Sequence, residues 1–461
     1  MVITMDSIQN VALGDKITID IRKQGINGEG IGYYHKLAIF VPGAIEKETV
    51  IAEIIDIKPG YALAKIDAFL RQSNRRIEPK CPYYENCGGC QLQHIDYLEQ
   101  LKIKKSILMQ SLRRYTEVNV ETLDIRKTAG MKANFGYRNK SQMPFKNTNL
   151  GLELGLYEAN SNRFVTIDSC LVQDPIINQT NRAVLKILIK HKMMAFDQMN
   201  PEGILLNLVT RHVKSTDEVQ ITIIISLFKP ILNDIAKEII ATIPNVKGVF
   251  YSVNKQHNTL MFGKTTELII GSKYISEKIN DLTIKLSPEA FHQLNTEQMN
   301  VLYAEIIRAC DLTGKEIVVD AFCGVGIVSL QMAKKAKMVY GIDYAITSIK
   351  DASANASANK IKNCIFVADR VEKSLPELLR KKIKPDVIVF DPPRSGLDDS
   401  VIDEVRLAKI SRIVYVSCNP STLAKNLAKL LDSYTIEYIQ PIDMFPHTAS
   451  VESITLLKLK N

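Results

Sequence analysis

The chain has 461 residues, of which 46% are hydrophobic and 24% charged, so it is too long for one compact core and too apolar for a disordered protein. We expect about two to four domains. No apolar run is long enough to cross a bilayer and no basic, apolar leader opens the sequence, so we expect a cytoplasmic protein with no membrane partner and no obligate protein partner.

Residues 8–70 are predicted to form a small β-barrel. Apolar and polar residues alternate in segments such as Ile17–Ile21 and Leu37–Val41. Glycine or proline interrupts this alternation every eight to twelve residues or so, as expected for short antiparallel strands. The length and pattern are typical of one OB-like module.

Four of the eight cysteines form one constellation in a predicted central α+β domain, residues 71–284. Cys81, Cys87 and Cys90 have the spacing C-x5-C-x2-C, and Cys170 follows some eighty residues later. Without an export signal, four thiols indicate a metal site more than a disulfide framework. The spacing alone leaves structural zinc and an iron–sulfur cluster both open.

A basic segment, residues 102–146, carries eleven Lys or Arg against three acidic residues and accounts for most of the net charge of +9. Tyr115, Phe135 and Tyr137 are interleaved with these cations. Cations displace counterions from phosphates and aromatic rings stack on exposed bases, so the segment is a candidate nucleic-acid interface. The alternative is a solvated helical face, and helical apolar spacing does run through Ile95–Tyr115.

The last third, residues 285–461, alternates strand and helix. Its nearly continuous apolar strands predict a parallel sheet covered on both faces, a Rossmann-like α/β fold with ligands at the carboxyl ends of the strands. The predicted strands are Ile317–Val319, Met338–Gly341, Cys364–Ala368, Val387–Phe390 and Ile413–Val416.

The turn Asp320–Gly326 follows the first of these strands and opens a helix. Its glycines let a ligand approach the backbone, whereas Ser329 stands at the third glycine position of the dinucleotide fingerprint, which disfavours a NAD-dependent dehydrogenase. Asp343 ends the next strand, where it is placed to bind the ribose hydroxyls of an adenosine, and Asp369 follows the third, where it is placed to meet the adenine amino group. Together these residues favour a methyltransferase site for S-adenosylmethionine.

Two further strand ends carry candidate catalytic groups. Asp391-Pro392-Pro393-Arg394 resembles the turn of amino-methyltransferases, but those enzymes have a base-stacking aromatic residue where Arg394 stands, and Arg394 is able to bond a uracil carbonyl. Cys418 is a candidate nucleophile, because thiolate addition at C6 of uracil makes C5 nucleophilic. Glu452 is a candidate base for the C5 proton. Taken singly, Cys418 also reads as a small buried residue and Glu452 as a surface charge.

With Phe291-His292-Gln293-Leu294-Asn295, these motifs resemble the RNA uracil-5-methyltransferase family, most strongly over residues 285–461. The resemblance implies a seven-stranded methyltransferase domain with Cys418 as nucleophile and Glu452 as base. One departure is Ile327, where several members carry a polar Asn. The implied contacts to S-adenosylmethionine are Gln293, Phe322, Asp343 and Asp391.

The N-terminal half adds to the resemblance. Residues 8–70 resemble a TRAM domain, an RNA-binding module that would hold the RNA while a base is extruded. The C-x5-C-G-G-C pattern with Cys170 is similar to the [4Fe-4S] site of the family's ribosomal-RNA branch. Because many bacterial tRNA members lack both features, the resemblance implies methylation of 23S ribosomal RNA. The alternatives are a tRNA uracil-5-methyltransferase and a non-catalytic RNA-binding or assembly factor on the same fold; Cys418 and Glu452 together argue against the second.

Overall fold

The computed structural model describes residues 11–197, 202–254 and 261–460. Residues 8–10 of the predicted barrel and residue 461 of the predicted C-terminal domain lie outside the described residues. Three sheets of six or seven strands and one hairpin organise the described part. None of its helices combines the length and the apolar character that a membrane crossing requires.

The N-terminal module is a six-stranded sheet in the order β1-β5-β6-β4-β3-β2. Along β1, buried Ile17 and Ile19 alternate with exposed neighbours, as the period-two pattern predicts. Register shifts in the β5–β6 pairing mark bulges, which bend the long strands around the core. The strands are β1 (Lys16–Asp20), β2 (Lys23–Gln24), β3 (Gly30–Tyr34), β4 (Leu37–Val41), β5 (Thr49–Lys58) and β6 (Tyr61–Arg71).

The central module is a seven-stranded sheet in the order β13-β12-β11-β10-β7-β8-β9, with two helices packed on it. Its strands are β7 (Lys140–Thr148), β8 (Gly151–Tyr157), β9 (Phe164–Thr166), β10 (Leu205–Val213), β11 (Glu218–Ile225), β12 (Val246–Val253) and β13 (Thr266–Gly271). Its helices are α2 (Pro175–Lys190) and α3 (Ile231–Thr242). A hairpin of β14 (Ile275–Ile279) and β15 (Leu282–Leu286) follows.

The C-terminal module is a seven-stranded sheet in the order β18-β17-β16-β19-β20-β22-β21. Its strands are β16 (Ile317–Ala321), β17 (Met338–Asp343), β18 (Cys364–Ala368), β19 (Val387–Phe390), β20 (Arg412–Ser417), β21 (Tyr434–Ile442) and β22 (Glu452–Leu459). Its helices are α4 (Thr296–Cys310), α5 (Ile327–Ala333), α6 (Ile346–Ala358), α7 (Val371–Arg380), α8 (Asp399–Ala408) and α9 (Pro420–Leu430).

The C-terminal sheet has an antiparallel edge that the sequence pattern did not predict. Strands β16 to β20 pair in parallel, as predicted, but β22 is antiparallel to both β20 and β21. The reason is the short connection from β21 to β22, which forms a hairpin and leaves no room for a crossover helix. Strand β22 therefore begins at the edge of the sheet where the parallel strands end, and Glu452 is its first residue.

Helix α1 (Tyr97–Tyr115) follows the N-terminal module in the sequence but packs against the C-terminal sheet. It begins after Asp96, whose side chain accepts hydrogen bonds from the backbone N–H groups of Leu98 and Glu99. Although the sequence places this segment in the central domain, Leu108 and Leu112 lie in one core cluster with residues of the C-terminal sheet. By packing, α1 belongs to the C-terminal module, and the boundaries at 71 and 285 stay predictions.

We expect Leu108→Ala to destabilise the protein by about 2–5 kcal/mol, because it removes a fully buried side chain between α1 and the C-terminal sheet. The chain has no Trp, so unfolding in denaturant is followed by circular dichroism. Leu98→Ala, on the same helix but 67% exposed, is the control and should change stability by less than about 0.5 kcal/mol. Equal effects of the two changes would contradict the packing described for α1.

Candidate functional site

A cavity of about 740 Å³ lies at the carboxyl edge of the C-terminal parallel strands. It brings together seven of the eight residues that the sequence predicts for cofactor, substrate and catalysis. These are Gln293, Phe322, Asp343, Asp391, Arg394, Cys418 and Glu452. The cavity's position follows from topology, since the ends of neighbouring parallel strands meet at one edge.

The turn after β16 shapes the floor of this cavity. Phe322, Gly324 and Gly326 all have positive φ, at 67°, 54° and 81°. For Phe322 this is a strained conformation, of the kind found at ligand sites. The buried Asp320 accepts a hydrogen bond from the Ser329 hydroxyl, and burial raises the pKa of Asp320 to about 7. The hydrogen bond between Ser329 and Asp320 thus ties the start of the turn to helix α5.

The Asp343 carboxylate is held rigidly at the end of β17. Its Oδ2 accepts from the backbone N–H of Gly324 at 3.0 Å, and its Oδ1 accepts from Ala345 at 2.8 Å. Each carboxylate oxygen keeps further lone pairs for a ligand. This geometry suits a residue that binds two hydroxyl groups at once.

Asp369 does not line the cavity. The next residue, Arg370, does, and the Asp369 side chain accepts a hydrogen bond from the Arg370 backbone N–H at 2.8 Å. This local bond turns the carboxylate toward its own backbone just before α7. A contact of Asp369 with an adenine stays a prediction.

The segment carrying Gln293 is positioned by the central module. The Asn139 side chain donates to the Gln293 carbonyl, and the Asn139 backbone N–H donates to the Leu294 carbonyl, both at 2.9 Å. Phe291 lines the cavity although it is 66% exposed, and Tyr344 is a second exposed ring on its rim. No role was predicted from the sequence for Asn139, Phe291 or Tyr344. The signal for the two aromatic residues was their place in the sequence, since Phe291 lies two positions before Gln293 and Tyr344 directly follows Asp343.

Cys418 lies immediately after β20, where Asn419 caps helix α9. The pKa of the Cys418 thiol is raised to about 11, chiefly by burial and also by Glu452 and Asp391, whereas Arg394 opposes the shift. The Asn419 and Thr422 side chains donate to the Arg394 carbonyl and fix that turn beside the thiol. A thiol with this pKa is largely protonated at neutral pH.

Glu452 is buried at the start of β22. Burial raises the pKa of Glu452 to about 8, helped by Asp391 and opposed by Arg394 and Lys104. Burial also raises the pKa of Asp391 to about 6. Three acidic groups thus surround one cavity, and the ionisation of each makes that of the others less favourable.

A second cavity, of about 170 Å³, is lined by all four cysteines of the predicted metal site, Cys81, Cys87, Cys90 and Cys170. All four are free thiols. Burial raises the pKa of Cys87, Cys90 and Cys170, that of Cys90 to about 12. Within the described ranges, no three or more His, Cys, Asp or Glu side chains form a group that could hold a metal ion. The four thiols line a common space without forming a metal-binding group there.

The basic segment 102–146 does not form one exposed face. Lys104 and Tyr137 are buried, and Phe135 stacks on His447 with ring centroids 4.2 Å apart. The prediction that these side chains meet nucleic acid is wrong for Lys104 and Tyr137, because both are engaged by the loop before Glu452. Lys102, by contrast, is exposed, and it forms an ion pair with Glu99.

Two family models match the chain. The model described as tRNA (Uracil-5-)-methyltransferase matches residues 96–460, and the TRAM domain model matches residues 11–66. Among curated relatives, an uncharacterized RNA methyltransferase of Listeria monocytogenes is 41% identical over 450 residues, covering 97% of this chain and 98% of the relative. Another, of Bacillus anthracis, is 40% identical over 449 residues, with coverage of 97% and 98%.

A solved structure shows the same fold over most of the chain. It is the Pyrococcus abyssi tRNA (uracil-54, C5)-methyltransferase in complex with S-adenosyl-L-homocysteine. The TM-score is 0.74 at 24% identity, covering 95% of this chain and 99% of that one. The N-terminal sheet and the C-terminal α/β fold predicted from the sequence are confirmed by these matches.

We expect Arg394→Gln to slow alkylation of Cys418 by iodoacetamide at pH 8 by roughly three- to tenfold. Loss of the cation raises the pKa of the thiol, and at a pH below that pKa less thiolate is then present. The rate is read by mass spectrometry of the Cys418 peptide. Arg370→Gln, which removes another arginine of the same cavity, is the control and should leave the rate unchanged. Faster alkylation of Arg394→Gln would contradict the assigned electrostatics.

Proposed function

The chain belongs to the tRNA (uracil-5-)-methyltransferase family and carries a TRAM domain, and we propose that its substrate is a uridine of 23S ribosomal RNA, which it methylates at C5. Its enzyme class, an S-adenosylmethionine-dependent RNA (uracil-5-)-methyltransferase, follows from the family match and the named relatives. The observation that carries the proposed mechanism is the single cavity shared by Cys418, Glu452, Asp391 and Arg394.

The same cavity supplies the groups for the cofactor. S-adenosylmethionine provides an electrophilic methyl group when bound. Asp343 is placed to accept from the ribose hydroxyls, and the strained Phe322 turn brings backbone close to the ligand. Gln293, Asp391 and, after a local rearrangement, Asp369 complete the proposed contacts.

In the proposed reaction, Cys418 gives up its proton to solvent and the thiolate adds to C6 of the uracil. The C5=C6 electron pair is displaced toward C5 and the O4 carbonyl, where Arg394 stabilises the negative charge. C5 then takes the methyl group, the bond between that group and the sulfonium sulfur breaks, and S-adenosylhomocysteine is the leaving group. Glu452 removes the remaining C5 proton, the C6–S bond breaks, and the thiolate leaves as the C5=C6 double bond forms again.

The electrostatics of the cavity support this order of events. Free Cys418 thiolate and ionised Glu452 repel each other. Once sulfur is bonded to C6 it carries no charge, so Glu452 is easier to ionise at the stage when it acts as a base. A carboxylate with a pKa of about 8 is well matched to proton transfer near neutral pH.

For the RNA, 23S ribosomal RNA is favoured by the cysteine motif together with the TRAM domain, a combination that resembles the ribosomal-RNA branch. A tRNA substrate is the second candidate, because the matching family model and the solved neighbour are both named for tRNA. That neighbour aligns over 95% of this chain, barrel included, so the barrel by itself does not separate the two.

For the cysteine cavity we propose a [4Fe-4S] cluster held by Cys81, Cys87, Cys90 and Cys170. Such a cluster takes one thiolate at each of four irons, so its ligands surround a space instead of meeting at one ion. Four thiols that line one cavity match this donor set. Methyl transfer moves no net electrons, so the proposed role is structural.

We expect Glu452→Gln to accumulate a covalent protein–RNA adduct, because addition and methylation proceed while removal of the C5 proton stalls. The variant is mixed with S-adenosylmethionine and either unmodified 23S ribosomal RNA or unmodified tRNA, and adducts are resolved on denaturing gels. An adduct with 23S RNA alone supports the proposal, and one with tRNA alone supports the second candidate.

Two control variants make this test specific. Glu452→Gln combined with Cys418→Ala should form no adduct, and Cys418→Ala alone should lose turnover while binding S-adenosylhomocysteine within a few-fold of wild type. An adduct that persists without Cys418 would overturn its assignment as the nucleophile.

We expect protein purified anaerobically to contain about four irons per chain and to absorb in the visible range, as a [4Fe-4S] cluster does. Cys170→Ser should lose iron, whereas Cys310→Ser, a buried cysteine of the C-terminal module, should retain it. Stoichiometric zinc without iron would replace the cluster by a structural zinc site.

A further inference from the structure

The loop that leads to Glu452, residues 443–450, is held from outside the C-terminal sheet. Its backbone carbonyls accept hydrogen bonds from distant parts of the chain. The Met444 carbonyl accepts from the Asn295 side chain at 3.0 Å, and the Pro446 carbonyl accepts from the Tyr137 hydroxyl at 3.1 Å. The His447 carbonyl accepts from the backbone N–H groups of Gln91 and Leu92.

Both ends of this loop are fastened by one side chain, Lys104 of α1. Its ammonium donates to the Phe445 carbonyl at 2.9 Å and to the Ser450 carbonyl at 2.7 Å, and it forms an ion pair with Asp443. Three acceptors match the three N–H donors of a protonated lysine, whereas a neutral amine would leave one acceptor unpaired. Burial lowers the pKa of Lys104, and the Asp443 carboxylate opposes this shift.

Asp443 is fixed in turn. Its second carboxylate oxygen accepts from the Tyr97 hydroxyl at 2.7 Å, and its backbone N–H donates to the Ala129 carbonyl at 2.9 Å. The Lys104 and Asp443 side chains have no exposed surface. The ion pair is therefore part of the interior, between α1 and the β21–β22 connection.

This interior contact reaches the catalytic cavity. Phe445, Ser450 and Glu452 all line that cavity, and the first two supply the carbonyls that Lys104 bonds. A buried ion pair costs several kcal/mol of desolvation, and apolar residues of similar volume often stabilise a fold as well or better. Stability alone therefore gives a weak reason for a lysine at this position, whereas holding two loop carbonyls in place requires a donor.

We propose that Lys104, through its bonds to Asp443, Phe445 and Ser450, is a positioning residue that sets the place and the charge of Glu452 for removal of the C5 proton. This inference rests on the proposed role of Glu452. The Lys104–Asp443 ion pair and the bonds of Lys104 to the Phe445 and Ser450 carbonyls are called the clamp below. The proposal separates two steps: the clamp serves adduct resolution, while adduct formation depends on Cys418, which follows another strand, β20.

The test uses the full-length double variant Lys104→Met/Asp443→Leu, which removes both charges at once and so leaves no buried charge unpaired. Single-turnover reactions measure adduct formation and adduct resolution separately. We expect formation and S-adenosylhomocysteine affinity to stay within about twofold of wild type, and resolution to slow by about tenfold or more, within the range that a general base contributes.

A pH profile distinguishes this role from a purely structural one. The groups that face Glu452 are Asp391, Arg394, Lys104 and, as a like charge, Cys418. Removing the Lys104 cation makes Glu452 harder to ionise, so the rise of the resolution rate with pH should move to higher pH. A variant that is merely less well folded would lose formation and resolution together, with no such displacement.

Two further variants complete the design. Leu98→Ala is the control: this side chain lies on the same helix, is 67% exposed, and its loss should leave the variant behaving as wild type. Tyr97→Phe keeps both buried charges and removes one hydrogen bond to Asp443, so it tests the clamp even if the double variant does not fold; a smaller slowing of resolution is expected.

The outcomes separate the clamp from the function on which it rests. If Glu452→Gln accumulates adduct but the double variant and Tyr97→Phe both resolve it at the wild-type rate, the positioning role is overturned. If Glu452→Gln accumulates no adduct with either RNA, the assignment of Glu452 as base fails first.

Discussion

The ion pair between Lys104 and Asp443 is the contact on which the arrangement of the catalytic module depends most directly. These residues lie 339 positions apart in the chain and have no exposed side-chain surface. One comes from a helix that precedes the central module, the other from the connection between the last two strands. Strand β22 follows that connection, so the ion pair links α1, at the start of the region that the methyltransferase family model matches, to the last strand of the sheet. The apolar face of α1 also packs into the core of the C-terminal sheet.

The cavity beside it has a second constraint, the crowding of acidic groups. Cys418, Asp391 and Glu452 each have a raised pKa, and Arg394 lowers the pKa of the first and the last. Such a site favours one anion at a time. This suits the proposed reaction, in which the negative charge passes from sulfur to the pyrimidine ring and is neutralised there by methyl transfer. Later, as the Glu452 carboxylate takes the C5 proton, the charge returns to sulfur, so the cavity never holds all the charges together.

Local sequence patterns predicted much of this structure. The strands Cys364–Ala368 and Val387–Phe390 have the predicted bounds, and the cavity at their ends follows from parallel topology. The burial of Lys104 was not predictable, because its charge placed it among surface cations and its partner lies at the other end of the chain. The antiparallel direction of β22 and the hydrogen bond that Asp369 accepts from the Arg370 backbone N–H also depend on contacts that strand and helix periodicity does not encode.

The two cavities are neighbours, and this bears on why a methyltransferase would carry four cysteines. Phe445 lines the catalytic cavity and packs in a small cluster with Tyr137, whereas Cys90 and Cys170 line the second cavity and contact that same cluster. Directly after Cys90, the backbone of Gln91 and Leu92 bonds the His447 carbonyl of the 443–450 loop. Anything that orders the cysteine segment therefore also orders the loop before Glu452, with no transfer of electrons to the reaction. Lys104 holds that loop from one side and the cysteine segment from another, so the position of Glu452 is set by parts of the chain outside the sheet that carries it.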